Sequence, residues 1–129
     1  MPSLVLSATV LCEGLNHDFE YNFHISSNDD HFAKFCEKLL CSKDTHTSLK
    51  LLHESLGSAD SLNSIFNPIF RAAADKFEWN DLFINIMDIS IDNQPVIWDK
   101  DELSEIGEDR ARTIRWYGDL DGDEIYFVD

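Results

Sequence analysis

The sequence predicts a single α+β domain: a mostly antiparallel sheet, built from two hairpins plus central strands, with about three helices packed on one face. Three observations predict it. Apolar residues alternate with a two-residue period near the start, recur at three- and four-residue spacing through the middle, and return to the two-residue period toward the end. The chain has 129 residues, of which 43% are hydrophobic, with nine Phe, three Trp and three Tyr, enough apolar material for one packed core. No repeat or low-complexity linker divides it, so residues 1–129 read as one domain.

In the first hairpin, Phe19, Tyr21, Phe23 and Ile25 point one way while Asp18, Glu20, Asn22 and His24 point the other, the pattern of a half-buried strand. The segment from Leu4 to Cys12 is strand-like as well. Glu13-Gly14-Leu15-Asn16 supplies the turn that makes residues 4–25 an antiparallel hairpin. A helix follows with Phe32, Phe35, Cys36, Leu39 and Leu40 on one stripe, Ser27 or Asn28 as the expected cap, and Asp29 and Asp30 at the positive end of its dipole. Leu49, Leu52 and Leu56 mark a second helix that Gly57 ends. The third carries Leu62, Ile65, Phe66, Ile69, Phe70, Ala73 and Phe77, but Pro68 lacks the N–H that a helix interior uses. The expectation is a short helical turn, a break, then residues 68–77 with Asn67 as cap.

Beyond Trp79-Asn80-Asp81 the two-residue period has a fault, because Ile84 and Ile86 belong to one face and Ile89 and Ile91 to the other. A bulge near Met87-Asp88, or burial on both faces, reconciles them. Asp92-Asn93-Gln94-Pro95 turns the chain into a further strand, Val96-Ile97-Trp98, and the polar stretch from Asp99 to Arg110 is a loop or a frayed helix. Asp121-Gly122 signals a two-residue type I′ turn. That turn would pair Leu120 with Asp123, Gly118 with Ile125 and Trp116 with Phe127, placing Leu120 on the core face and Asp119 opposite Glu124.

Charge is the unusual quantity. Twenty-five acids against ten Lys and Arg leave a net charge of −15, which repels phosphate backbones and argues against direct nucleic-acid binding. The negative field is uneven: residues 1–77 hold ten acids and six bases, residues 78–129 fifteen acids and four bases. Scattered acids ordinarily mean a solvated, soluble face. Here Asp99, Asp101, Glu102, Glu105, Glu108 and Asp109 crowd one connection, and Asp119, Asp121, Asp123 and Glu124 crowd one turn, more than solubility needs.

Motifs for chemistry are missing. A calcium-loop reading starting at Asp119 puts Glu124 where the loop needs glycine and runs out of chain before the twelfth ligand. Cys36, Cys41, His46 and His53 stand five, five and seven residues apart, unlike a compact zinc knuckle, so no metal is expected. Five glycines never approach a phosphate-cradling spacing, and there is no Gly-x-Ser-x-Gly elbow. Neither an enzyme nor a cofactor is expected. Three cysteines in a chain of this size suit reduced thiols in the cytoplasm. No basic n-region precedes the apolar run from Leu4 to Cys12, and no stretch approaches a bilayer span.

These observations predict a small acidic cytoplasmic inhibitor, an immunity protein that neutralises a cognate toxin by laying carboxylates over the basic cleft of a nuclease. The expected contact residues are Asp99, Asp101, Glu102, Glu105, Asp119, Asp121, Asp123 and Glu124, with Tyr117, Tyr126 and Trp98 as aromatic anchors. Two other readings share the physics or the size. One is a phage-encoded DNA mimic of the anti-CRISPR or anti-restriction type acting on a nucleic-acid-binding defence complex. The other is a non-catalytic adaptor, whose binding would depend little on salt.

Overall fold

The computed structural model describes residues 1–12, 18–57, 62–107 and 109–128. The expected turn at 13–16 lies outside them. The chain runs β1 (Ser3–Cys12), β2 (Asp18–Ser26), α1 (Asp30–Cys41), α2 (Thr45–Ser55), α3 (Asn63–Phe77), β3 (Asp81–Ile91), β4 (Gln94–Pro95), α4 (Lys100–Glu105), a 3-10 turn (Asp109–Arg112), β5 (Thr113–Asp119) and β6 (Gly122–Phe127). Among the described residues the strands form one antiparallel sheet in the order β2-β1-β3-β5-β6, with β4 paired to the far half of β3. The α+β class read from the sequence is the observed one. No described helix is long and apolar enough to cross a membrane.

Helices α1, α2 and α4 begin where a side chain supplies the donors' missing partner. Asp29, rather than Ser27 or Asn28, caps α1 by accepting the N–H bonds of His31 (2.8 Å) and Phe32 (3.2 Å), while Ser27 Oγ accepts the N–H of Asp29. Asp44 does the same for α2 through the N–H of Thr47 at 2.7 Å, a bond that holds its carboxyl below the usual range. Helix α3 has no side-chain cap and corrects the expected break, because it runs unbroken through Pro68. Pro68 and Ser64, whose carbonyl loses its helical donor, are both exposed, so water can serve that carbonyl. Asn67 is occupied elsewhere, accepting a bond from Trp116 Nε1 at 2.7 Å.

The sheet has one buried face. Register aligns Ile25, Leu4 and Ile91 in one row, Phe23, Leu6 and Ile89 in the next, and Ile84, Ile114 and Phe127 further along. Ser7 faces Asp88 while Ala8 faces Ile86, so Met87 is the extra residue of a β-bulge that returns all four isoleucines to the same face. Phe32, Phe35 and Leu39 of α1, Leu49 and Leu52 of α2, and Phe66 and Phe70 of α3 close over these rows in a single cluster. Phe66, Phe70 and Phe23 meet edge-on or tilted at 5.2–6.0 Å between ring centres.

Two further expectations needed correction. Val96-Ile97-Trp98 is not a strand: pairing stops at Pro95, and after Val96 donates to the Ile89 carbonyl (3.0 Å) the chain leaves the sheet. The tight turn is Asp92-Asn93, both at positive φ (50° and 67°). In the last hairpin the two turn residues are Leu120-Asp121, closed by Asp119 opposite Gly122, two residues out of the expected register. Trp116 therefore faces Ile125 instead of Phe127, Leu120 is fully exposed at the tip, and Glu124 lies opposite Tyr117 instead of Asp119. The expected like-charge pair does not form.

Candidate functional site

The C-terminal hairpin is pinned to α3 by a polar knot close to its turn. Register puts Asp123 on the helix side of the sheet, where its carboxylate accepts bonds from Arg71 Nε (3.0 Å), Arg71 Nη2 (2.9 Å) and Asn67 Nδ2 (3.0 Å). Its side chain is only 8% exposed, and the Arg71 hydrogen bonds hold its carboxyl below the ordinary range. Asp123 is thus a structural anchor and is not available to a partner. Trp98, expected as a surface anchor, is also internal: it is buried, and its Nε1 donates to the Ile86 carbonyl at 3.3 Å.

Helix α4 arises because Asp99, held by donation of its N–H to Thr45 Oγ1 (2.8 Å), accepts the N–H groups of Asp101 and Glu102. Ser48 Oγ, donating to the Ile97 carbonyl at 2.8 Å, ties the same segment to α2. Asp99, Asp101, Glu102 and Glu105 are exposed, with Leu103 buried beneath them. Glu108 and the side chain of Asp109 lie outside the described residues. The tip carboxylates Asp119 and Asp121 stand at the other end of β5, six residues or about 20 Å of strand away. The two acidic groups seen in the sequence therefore do not merge into one cluster.

Between them lies a surface that the sequence did not disclose. The helices cover one face of the sheet, and among the described residues no helix covers the opposite face. Register arranges its side chains in rows across the strands. One row holds Asp18, Leu11, Phe83, Arg115 and Tyr126, and beside it stand Asp81, Tyr117 and Glu124. On the other side run Glu20, Thr9, Asn85 and Thr113, then Asn22, Ser7 and Asp88.

Arg115 organises this face. Its Nε and Nη2 meet the two oxygens of Asp81 at 3.0 and 2.8 Å, and Nη1 donates to the Tyr126 hydroxyl at 2.7 Å. The guanidinium carbon sits 5.3 Å from the Phe83 ring centre, 5.6 Å from Tyr117 and 5.8 Å from Tyr126. The Asp81 bonds push the Arg115 pKa further up, so the cation is permanent. The Arg115 side chain stays 30% exposed, so the three rings and the guanidinium form a rigid, half-exposed plate. Around it Asp18, Glu20, Asp88 and Glu124 are exposed, and among the described residues none of the four makes an ion pair.

Tyr117 and Tyr126 were expected from the sequence as aromatic anchors, and Glu124 as a contact carboxylate. Asp81, Phe83, Arg115, Asp18, Glu20 and Asp88 were not among the expected site residues. The polar side of β2 was legible as alternation, but no local signal says that β2 and β6 bracket the same face. Among the described residues no three His, Cys, Asp or Glu side chains gather as a metal site would require. Compared with protein-family models, curated proteins and solved structures, the chain has no match.

Proposed function

We propose that this chain is a small non-catalytic inhibitor that captures a basic protein through the uncovered face of its sheet, an immunity protein for a nuclease toxin being the fitting case. One observation carries the reading: a preorganised Arg-aromatic plate on an open face, bordered by exposed carboxylates that make no ion pair among the described residues. Tyrosine and arginine are the residues that dominate binding energy at protein interfaces, and a rim of one sign steers a partner of the other sign. Asp119 and Asp121 at the tip and Asp101, Glu102 and Glu105 on α4 extend the negative field to either side. A cytoplasmic setting accompanies this proposal, with Cys12, Cys36 and Cys41 all free thiols.

The experiment is capture from the native host followed by charge reversal. A captured protein that supports the reading is basic, and its nuclease activity falls in proportion to added chain. Its affinity also drops steeply with salt. Glu20→Lys with Asp88→Lys, and separately Glu124→Lys, should slow association by about tenfold while leaving the fold intact. Equal binding and an equal salt slope for variants and parent would overturn the proposal. Salt-independent binding of a neutral protein would instead identify an adaptor.

A further inference from the structure

Two neighbouring rows on the open face do not close on one another. Leu11 and Phe83 line one side, Thr9, Asn85 and Thr113 the other, and between them runs a trough of about 430 Å³ crossing the strands. From β2 to β5 it spans three strand spacings, about 14 Å. Its ends are oppositely charged. Asp18 closes the β2 end, with Glu20 next to it opposite Thr9, and Arg110 of the 3-10 turn lines the other end. Asn85 Nδ2 donates to Thr113 Oγ1 at 2.7 Å, which fixes the polar wall, and Arg115 holds the Phe83 ring from behind.

We infer that the trough receives an extended segment of a partner protein that carries a Lys or Arg at one end and a carboxylate about four residues away at the other. Charge complementarity selects this occupant. The long stem of a basic side chain suits Leu11 and Phe83, and its head reaches Asp18 and Glu20. A uniformly basic segment would set a cation against Arg110, and an uncharged one would leave both ends unanswered. Four extended residues cover the 14 Å span at about 3.3 Å each. The inference rests on the reading that this face receives a protein, and it adds what the face selects.

The test titrates acetyl-Arg-Ala-Ala-Ala-Glu-amide and acetyl-Glu-Ala-Ala-Ala-Arg-amide, one for each chain direction and each with its two charged side chains on the same face of an extended chain, into 15N-labelled protein at low salt. At least one should produce saturable shifts at the amides of Leu11, Phe83, Asn85 and Thr113. Asp18→Asn should weaken it about threefold, and so should Arg110→Gln. Each variant should be indifferent to the peptide whose matching charge is already Gln. Neither side chain belongs to the core, and the unperturbed remainder of the spectrum verifies the fold. Absence of saturable shifts, shifts confined to the hairpin tip or α4, or affinities untouched by both variants would overturn the trough. If the peptides fail while a basic partner still responds to the Glu20, Asp88 and Glu124 reversals, the trough is wrong and the inhibitor reading stands. Peptide binding without any salt-sensitive basic partner gives the converse.

Discussion

Replacing Gly118 by alanine probes how the C-terminal hairpin is locked. Gly118 does not lie in the left-handed region, so alanine meets no backbone penalty and gains about 0.4–1 kcal/mol from a stiffer unfolded chain. The obstacle is steric. A Cβ there would stand 2.8 Å from Trp116 Cη2 and 3.4 Å from Cζ3, where carbons pack comfortably at about 3.5–4.0 Å. The ring must retreat by roughly 0.7 Å. It has little room to do so, being 1% exposed, bonded through Nε1 to Asn67 Oδ1, and covered by Arg71 at 5.7 Å. Overpacking of this kind costs about 1–3 kcal/mol, leaving a net loss of about 1–2 kcal/mol and a Tm lower by roughly 4–8 °C. Urea unfolding followed by far-UV circular dichroism measures it. Trp116→Phe removes both offending carbons, so Gly118→Ala on that background should cost less than about 0.5 kcal/mol. Equal costs on the two backgrounds would refute the steric account.

Four other outcomes are expected. Arg112→Met takes away the Nη1 donor (2.7 Å) from the Ile86 carbonyl, just past the point where β5 stops pairing, and should cost about 2–3 kcal/mol by urea midpoint; a change under about 0.5 kcal/mol would contradict it. Asp123→Asn should destabilise most at neutral pH. The folded pKa of Asp123 lies below its unfolded value of about 3.9, so its contribution is present above that value and disappears as pH falls through the depressed one. The gap between parent and variant should shrink as pH falls below about 4, and a gap that stays constant throughout acid titration would count against the Arg71 pairing. Burial pushes the Cys36 thiol up to about 12 and raises Cys12, while Cys41 is exposed, so a disulfide reagent at pH 8 should modify Cys41 fast and the other two at the unfolding rate. Leu120→Ser should shift stability by less than about 0.5 kcal/mol, since the side chain is fully exposed; a loss above about 2 kcal/mol would favour the other hairpin register.

The functional reading now rests on a different set of residues from those the charge distribution suggested. Asp123 moved from the expected partner surface to an internal ion pair, and Trp98 moved into the core. Glu124, Tyr117 and Tyr126 remained on the surface and acquired Arg115 and Phe83 as neighbours. Negative charge on its own says that something cationic is welcome. Under the proposed function, the plate and its rim are where it would dock.

Local order made the fold class legible from the amino acids alone. Periods of two and of about 3.6 survive in any tertiary setting, so β2, α1 and the fault at Met87 could be read directly, and the fault proved to be a bulge. Strand register was not legible to the same degree. Moving the last hairpin by two residues keeps every side chain on its own face, so alternation cannot distinguish the two pairings. The choice was made by contacts remote in sequence: Trp116 folding over Gly118 and bonding Asn67, with Asp123 meeting Arg71. The open face likewise joins β1, β2, β3, β5 and β6, whose paired residues lie as far apart along the chain as Leu4 and Ile91. Net charge is a sum over residues and needs no fold to be known, whereas which charges stay exposed is a property of packing, and only the folded chain decided it.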